Sequence, residues 1–312
     1  MPNILEDQNI RALGSNLELL ARQVVEGFIV GLHRSPFHGF SVEFAEHRLY
    51  NQGESTRNID WKVFARTNKV FIKRFEEETN LRCQLVVDAS STMYYPWDEK
   101  NPQKFKYQNK FCFAAQSAAA LMYALKKQRD AFGLTLFDDE IRLSTNCKST
   151  TQHYQQLLTA LAQKIEQPEL NHATNLAQSL HQVAEATHRR SLIIIFTDVM
   201  ERVSESEELF SALQHLKHNK HEVILFHVTD KSKELDFEFE NRPYIFVDME
   251  SGEQVRLQPG QVKEYYTQQV TAFTDQLKLR CLQYKIDFVE ADINKGFYPI
   301  LQTWMVKRSK MI

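Results

Sequence analysis

Five side-chain oxygens, in the order Asp88, Ser90, Thr92, Thr174 and Asp198, mark where this sequence could do chemistry. In "LVVDASSTM", residues 85–93, an apolar run stops at a carboxylate, and side-chain oxygens then recur at every second position. Asp198 closes a second apolar run, "SLIIIFTD", and Thr174 lies in "HATNL", just ahead of a helical pattern. Carboxylates and hydroxyls are hard ligands that suit Mg²⁺, Mn²⁺ or Ca²⁺, and no soft ligand stands near them in sequence. Two acids roughly neutralise a divalent ion; three hydroxyls and water can complete its shell. If the hydroxyls bind directly and the acids act through water, the ion stays electrophilic and attracts an acidic partner. A single Asp or Ser at a strand end is ordinarily a turn or cap residue. An ordered set of five at predicted strand ends is not.

Such a site needs strands that end side by side, and the chain supplies them. From about residue 81 strand and helix alternate: "CQLVVD" as a strand, "KFCFAAQSAAALMYALKKQ" as a long, mostly buried helix, and "AFGLTLFDDEIRLST" as two strands joined at Asp138-Asp139. Amphipathic helices over "TQHYQQLLTALAQKI" and "NLAQSLHQVAEATH" follow, then the buried strand "SLIIIFTD". Next come the helix "SESEELFSALQHLKH", opening on a Ser/Glu capping pattern, and the strand "EVILFHV". A polar, hairpin-like excursion at about 231–258 precedes a helix from Val262, a strand "KIDFVEA" and a final helix "GFYPILQTWM". This pattern predicts an α/β fold with a doubly wound, mostly parallel sheet, in which ligands bind outside the carboxyl ends of the strands near the switch in strand order. Ahead of it, residues 16–31 read as a helix behind an Asn16 cap, and "FSVEFAEHRLY" and "KVFIKRFEEE" read as half-exposed strands. The expected division is therefore 1–80, an N-terminal helix and β-rich segment, and 81–312, the α/β domain.

Composition narrows the function classes. The 312 residues are 43% hydrophobic and 25% charged, and the formal net charge is −2. No global field favours nucleic acid or an anionic membrane. Cys83, Cys112, Cys147 and Cys281 form no CxxC pair, so reduced thiols are expected rather than zinc ligands or disulfides. The N-terminus carries acids and no apolar core, and Glu26 interrupts "VVEGFIVGL". These features predict a soluble, cytoplasmic protein with no membrane insertion.

Asp88-x-Ser90-x-Thr92, followed by Thr174 and Asp198, resembles the metal-ion-dependent adhesion site (MIDAS) of von Willebrand factor type A domains over roughly residues 81–310. Thr92 stands where a second Ser is usual. The resemblance implies a type A-like fold and an Mg²⁺, Mn²⁺ or Ca²⁺ ion held by those five residues. The preceding segment, "GESTRNIDWKVFARTNKVFIKRFEEE", adds Gly53, Arg57, Asp60, Trp61, Ala65, Arg66 and Glu78, which resemble the signature of bacterial proteins with a domain of unknown function 58; Glu54 stands where that signature has Asp. Many members carry N-terminal membrane helices, and this sequence resembles their short, soluble form. Members are associated with MoxR-type AAA+ ATPases, so the resemblance implies a protein partner: such an ATPase or its client. The plainer role for Arg57, Asp60, Trp61 and Arg66 is an ion-paired, Trp-anchored scaffold; the sharper one is a binding surface. The run Glu76–Glu78 is expected as a solvated face.

Two function classes compete. One is a non-enzymatic, metal-dependent protein-interaction module. The alternative is an Mg²⁺-dependent phosphohydrolase, since haloacid dehalogenase phosphatases also end their first strand on Asp. They place a second Asp two residues on, where this sequence has Ser90, so the general acid is missing. There is no P-loop, no GxGxxG, no HExxH and no recognisable base near Ser90 or Ser91.

Overall fold

The computed structural model describes residues 16–29, 41–50, 59–67, 69–78, 81–170, 172–199 and 206–311. By internal contacts the chain divides into two units: Phe37–Leu81, and Arg82–Ile312 together with the N-terminal stretch that carries the first helix. That helix, α1 (Leu17–Ile29), thus groups with the α/β unit, whereas the sequence pattern had suggested grouping it with the β-rich segment.

In the small unit β1 (Ser41–Leu49) pairs antiparallel with β2 (Phe71–Glu78), with a bulge between Phe44 and Glu46. Between them lies a short helix not expected from the sequence, α2 (Trp61–Thr67). Asp60 starts it: its Oδ1 accepts the backbone N–H groups of Lys62 at 3.0 Å and Val63 at 3.1 Å. These are two of the donors that a helix N-terminus leaves unmet. Trp61 opens this helix; it is 62% exposed, and its ring lies edge-on to Phe64. Gly53, Glu54 and Arg57 lie outside the described residues, as do the side chains of the Glu76–Glu78 run.

The α/β unit runs α1, β3 (Arg82–Asp88), α3 (Lys110–Lys127), β4 (Ala131–Phe137), β5 (Ile141–Ser144), α4 (Thr151–Glu166), α5 (Leu176–Ala186), β6 (Leu192–Thr197), α6 (Ser206–His218), β7 (Glu222–Thr229), β8 (Tyr244–Val247), β9 (Gln254–Leu257), α7 (Pro259–Gln283), β10 (Asp287–Asp292) and α8 (Phe297–Met311). Six strands form one sheet in the order β10-β7-β6-β3-β4-β5, parallel except for the β4–β5 hairpin. This is the doubly wound order, and it reverses between β3 and β6. Strands β3 and β6 are buried almost throughout, as their continuous apolar runs require. Val86, Ile193, Ile195, Val223 and Leu225 join the apolar faces of α5 and α6 and Leu277 and Cys281 of α7 in one core cluster. Helix α3 is buried on nearly every side, rich in Ala, and packs against α1, α4 and α8. Among the described residues no helix is long and apolar enough to cross a membrane.

Helix termination departs from the usual glycine. Helices α3, α6 and α7 each end on a left-handed residue that is basic: Arg129 (φ 61°), Lys220 (φ 62°) and Lys285 (φ 56°). In each case the N–H of the residue after it reaches back to the last turn: Asp130 to Leu125, His221 to Leu216 and Ile286 to Cys281. A cation there complements the negative helix end. The excursion at 231–258 is a π-helical turn (Lys231–Leu235) and the β8–β9 hairpin. Though polar in composition, it gathers Phe237, Phe239, Tyr244 and Phe246 against Tyr266.

Candidate metal centre

Asp88 ends β3, opposite Phe137 of β4 and beside β6. The chain turns sharply after it. Asp88 Oδ1 accepts the Ser90 N–H at 2.9 Å, a short local loop characteristic of Asp. Ser90 is extended (φ −60°, ψ 163°), and a 3₁₀ turn over Ser91–Tyr94 follows. That turn brings Ser90 Oγ to 3.2 Å from Thr92 Oγ1. Asp88 and Ser90 are fully buried and Thr92 is half-buried.

Thr174 reaches the same loop through its neighbours. The His172 N–H donates to Ser91 Oγ at 2.8 Å, and the Ser91 N–H donates to the His172 carbonyl at 3.1 Å. The Asn175 N–H donates to the Asp138 carbonyl at 3.0 Å, and the Asn175 side chain caps α5. The segment carrying Thr174 is therefore pinned between Ser91 and the end of β4. Thr174 Oγ1 itself is buried, and among the described residues it has no hydrogen-bond partner. A hydroxyl left in that state costs about 1–3 kcal/mol unless something binds it.

Asp198 follows β6 and is buried. Its Oδ2 accepts Lys110 Nζ at 2.7 Å, and its backbone carbonyl accepts His227 Nε2–H at 3.0 Å. Burial pushes His227 down to about 4, so that ring is neutral. Thr197, just before Asp198, donates its Oγ1 proton to Asp88 Oδ2 at 2.7 Å and accepts the Val199 N–H at 3.1 Å. Val199 takes φ +51°, a conformation that costs a β-branched residue about 1–3 kcal/mol, and it is held there beside the site. Burial first, and then the charge of Asp198, push the Asp88 carboxyl up to about 7. Asp88 and Asp198 thus follow one another across neighbouring strands at the carboxyl end of the sheet, where the strand order reverses, with Ser90 and Thr92 on the loop after Asp88 and the segment bearing Thr174 held to that loop.

Sequence reasoning missed Lys110, Glu234 and Thr197. Lys110 is fully buried, with Nζ on Asp198 Oδ2 and, at 2.5 Å, on Glu234 Oε1. Burial lowers its proton affinity, but the two carboxylates outweigh this and hold it above the ordinary lysine value. Burial likewise raises Glu234. One signal was available: a lysine opening a helix whose next five residues, Phe111–Ala115, are all apolar, where the dipole disfavours a cation.

A second oxygen-rich group lies at the end of β4. One ligand atom each from Asp138, Asp139 and His172 fall within 4.8 Å of one another. Arg142 already occupies this group. Its Nε donates to both Asp138 oxygens at 2.8 Å, and its other nitrogens reach Asp139, Glu140 and His172 Nδ1. Burial alone raises Asp138, yet these contacts hold its carboxyl below the ordinary value. Burial pushes the thiols of Cys112 and Cys281 up to about 12 and that of Cys147 to about 11, which disfavours their thiolates.

A family profile described as "Protein of unknown function DUF58" matches residues 46–275. The chain belongs to the DUF58 family. Uncharacterized proteins of Mycobacterium tuberculosis and Mycobacterium bovis are each 23% identical to this DUF58 chain over 228 residues, covering 72% of it and 67% of their own length. Among solved structures, it is similar to an aerotolerance-related membrane protein from Bacteroides fragilis (12% identity, TM-score 0.44, 74% of this chain and 100% of that one). It is also similar to the conserved hypothetical protein BatB from Bacteroides thetaiotaomicron (13% identity, TM-score 0.42, 74% and 99%).

Proposed function

We propose that this DUF58 chain is a non-enzymatic, metal-dependent protein-interaction module of the von Willebrand factor type A kind. Asp88, Ser90, Thr92, Thr174 and Asp198 would hold one Mg²⁺, or Mn²⁺ or Ca²⁺ in its place, and an acidic side chain of a protein partner would complete the shell. The observation that carries this reading is the pair of buried acids at the ends of neighbouring strands β3 and β6, with burial and the charge of Asp198 pushing Asp88 up to about 7, beside hydroxyl oxygens. A hard cation relieves that repulsion and gives a role to the Thr174 hydroxyl, which has no hydrogen-bond partner among the described residues. When bound, the ion supplies Lewis acidity toward a carboxylate. The chain's own residues supply orientation: Thr197 and the Ser90 N–H fix both oxygens of Asp88, and Ser91 fixes the segment bearing Thr174.

The proposed partner is a MoxR-type AAA+ ATPase or its client, in the cytoplasm; support for both comes from the resemblance of the residue 53–78 signature and its family association. The phosphohydrolase alternative needs a second carboxylate at position 90, where the Ser90 hydroxyl lies against Thr92. The test is retention of a recombinant MoxR-type ATPase on the immobilised protein. Retention in Mg²⁺ should be lost in EDTA and in Asp88→Ala and Thr174→Ala variants that keep their circular dichroism. The losses should not add, since they remove one contact. Retention indifferent to chelator and to both substitutions contradicts the reading.

A further inference from the structure

Lys110 sits where elementary rules disfavour it twice. A cation in the first turn of a helix opposes the dipole, and a fully buried ammonium loses its hydration. The surroundings compensate with charge. Nζ bonds Asp198 Oδ2 at 2.7 Å and Glu234 Oε1 at 2.5 Å, above the ring of Tyr95 with 5.8 Å to its centroid. Glu234 is itself fixed. Its Oε2 accepts the Asp230 N–H at 2.7 Å, and its backbone carbonyl accepts the Tyr266 hydroxyl at 3.0 Å. Among the described residues, the crevice therefore sets three largely buried carboxylates, Asp88, Asp198 and Glu234, beside one buried ammonium.

We propose that Lys110 is a built-in counter-ion of this crevice: a tethered ammonium that shares Asp198 with an incoming divalent cation and thereby sets how tightly that cation binds. This deepens the metal reading above and rests on it. Lys110 lets the crevice fold while no cation is bound, because Asp198 is never left alone. It also weakens binding, because ion and ammonium repel across a water-poor space. Glu234 gives the ammonium a second partner, so Lys110 can stay buried when the cation draws on Asp198. A unit charge a few ångströms from a divalent ion changes its affinity by at least about tenfold even at an effective dielectric near 20.

The test titrates Mn²⁺ calorimetrically into wild type, Lys110→Met and Lys110→Gln, and records melting temperature with and without Mn²⁺. Both variants should bind Mn²⁺ at least about tenfold more tightly than wild type, and Mn²⁺ should raise their melting temperature more, because the ion replaces the lost charge. Tight binding by the variants with none by wild type, or a Lys110→Met protein that folds only in Mn²⁺, supports the same conclusion. Equal or weaker Mn²⁺ binding in Lys110→Gln beside a wild type that binds overturns the counter-ion role and leaves the metal site standing. Variants that stay unfolded in saturating Mn²⁺ overturn it too, since the ion then fails to replace the ammonium. No binding by any of the three overturns the metal reading and this inference with it.

Discussion

Two acidic groups lie at the carboxyl ends of neighbouring strands, one around Asp88 and Asp198, the other around Asp138 and Asp139. Both are rich in oxygen ligands, and both include a carboxylate that is about 1% exposed or less. They differ in who supplies the positive charge. Beside Asp138 it is Arg142, four residues away on the same hairpin, whose Nε is shared between both oxygens of that acid while its other nitrogens reach three further groups. Beside Asp198 it is Lys110, from 88 residues away, a point charge divided between Asp198 and Glu234. The outcome shows in the carboxyls: Asp138 is held below its ordinary value, while Asp88 is pushed up to about 7. An acidic cluster signals a cation site only where the protein's own cations leave charge unmet.

Arg142→Met gives the largest expected effect on stability. Removing the guanidinium strands Asp138 and should cost about 1–3 kcal/mol in urea unfolding, less than the ~3–5 kcal/mol of a fully buried pair because the guanidinium is part-exposed. Mn²⁺ binding at the crevice should not change. Loss of crevice binding would break the separation between the two groups, whereas a second Mn²⁺ equivalent would show that only the guanidinium sets them apart.

Next is Thr197→Val, which removes the donor to Asp88 Oδ2 and the acceptor of the Val199 N–H. A cost of about 1–2 kcal/mol in the presence of chelator is expected, with weaker Mn²⁺ binding because Asp88 is no longer held in one orientation. Unchanged stability and affinity would mean that Thr197 contributes nothing to the crevice.

The smallest effects should come from positions outside both groups. Arg129→Gly, Lys220→Gly and Lys285→Gly each relieve a left-handed non-glycine residue and should stabilise by about 0.5–1 kcal/mol, net of glycine's greater unfolded-state entropy. None should alter Mn²⁺ affinity. A change there would mean that the titration reports global stability rather than the crevice.

How much of this the sequence carried differs from region to region. The strands and most helices were legible because their apolar runs and 3.6-residue periods are long, and Asp88, Ser90 and Thr92 were legible because a two-residue spacing is local. Thr174 and Asp198 could be found because each sits at the edge of a recognisable element. The Lys110–Asp198–Glu234 triad could not, since its members are up to 124 residues apart and only the strand order brings them together. Helix α2 was hidden by its length: one cap, Asp60, and seven residues give no period to read. The aromatic cluster after β7 was masked by the acids between its rings, and the three helix ends by the absence of the glycine that usually announces a left-handed cap.

The central claim is that the oxygens around Asp88 bind one divalent cation. Mn²⁺ titrated calorimetrically into metal-free wild type and into Asp88→Ala tests it most directly, with circular dichroism to confirm that both are folded. One site in wild type, lost in Asp88→Ala, is the predicted result; binding of equal stoichiometry and affinity in the two proteins would contradict it.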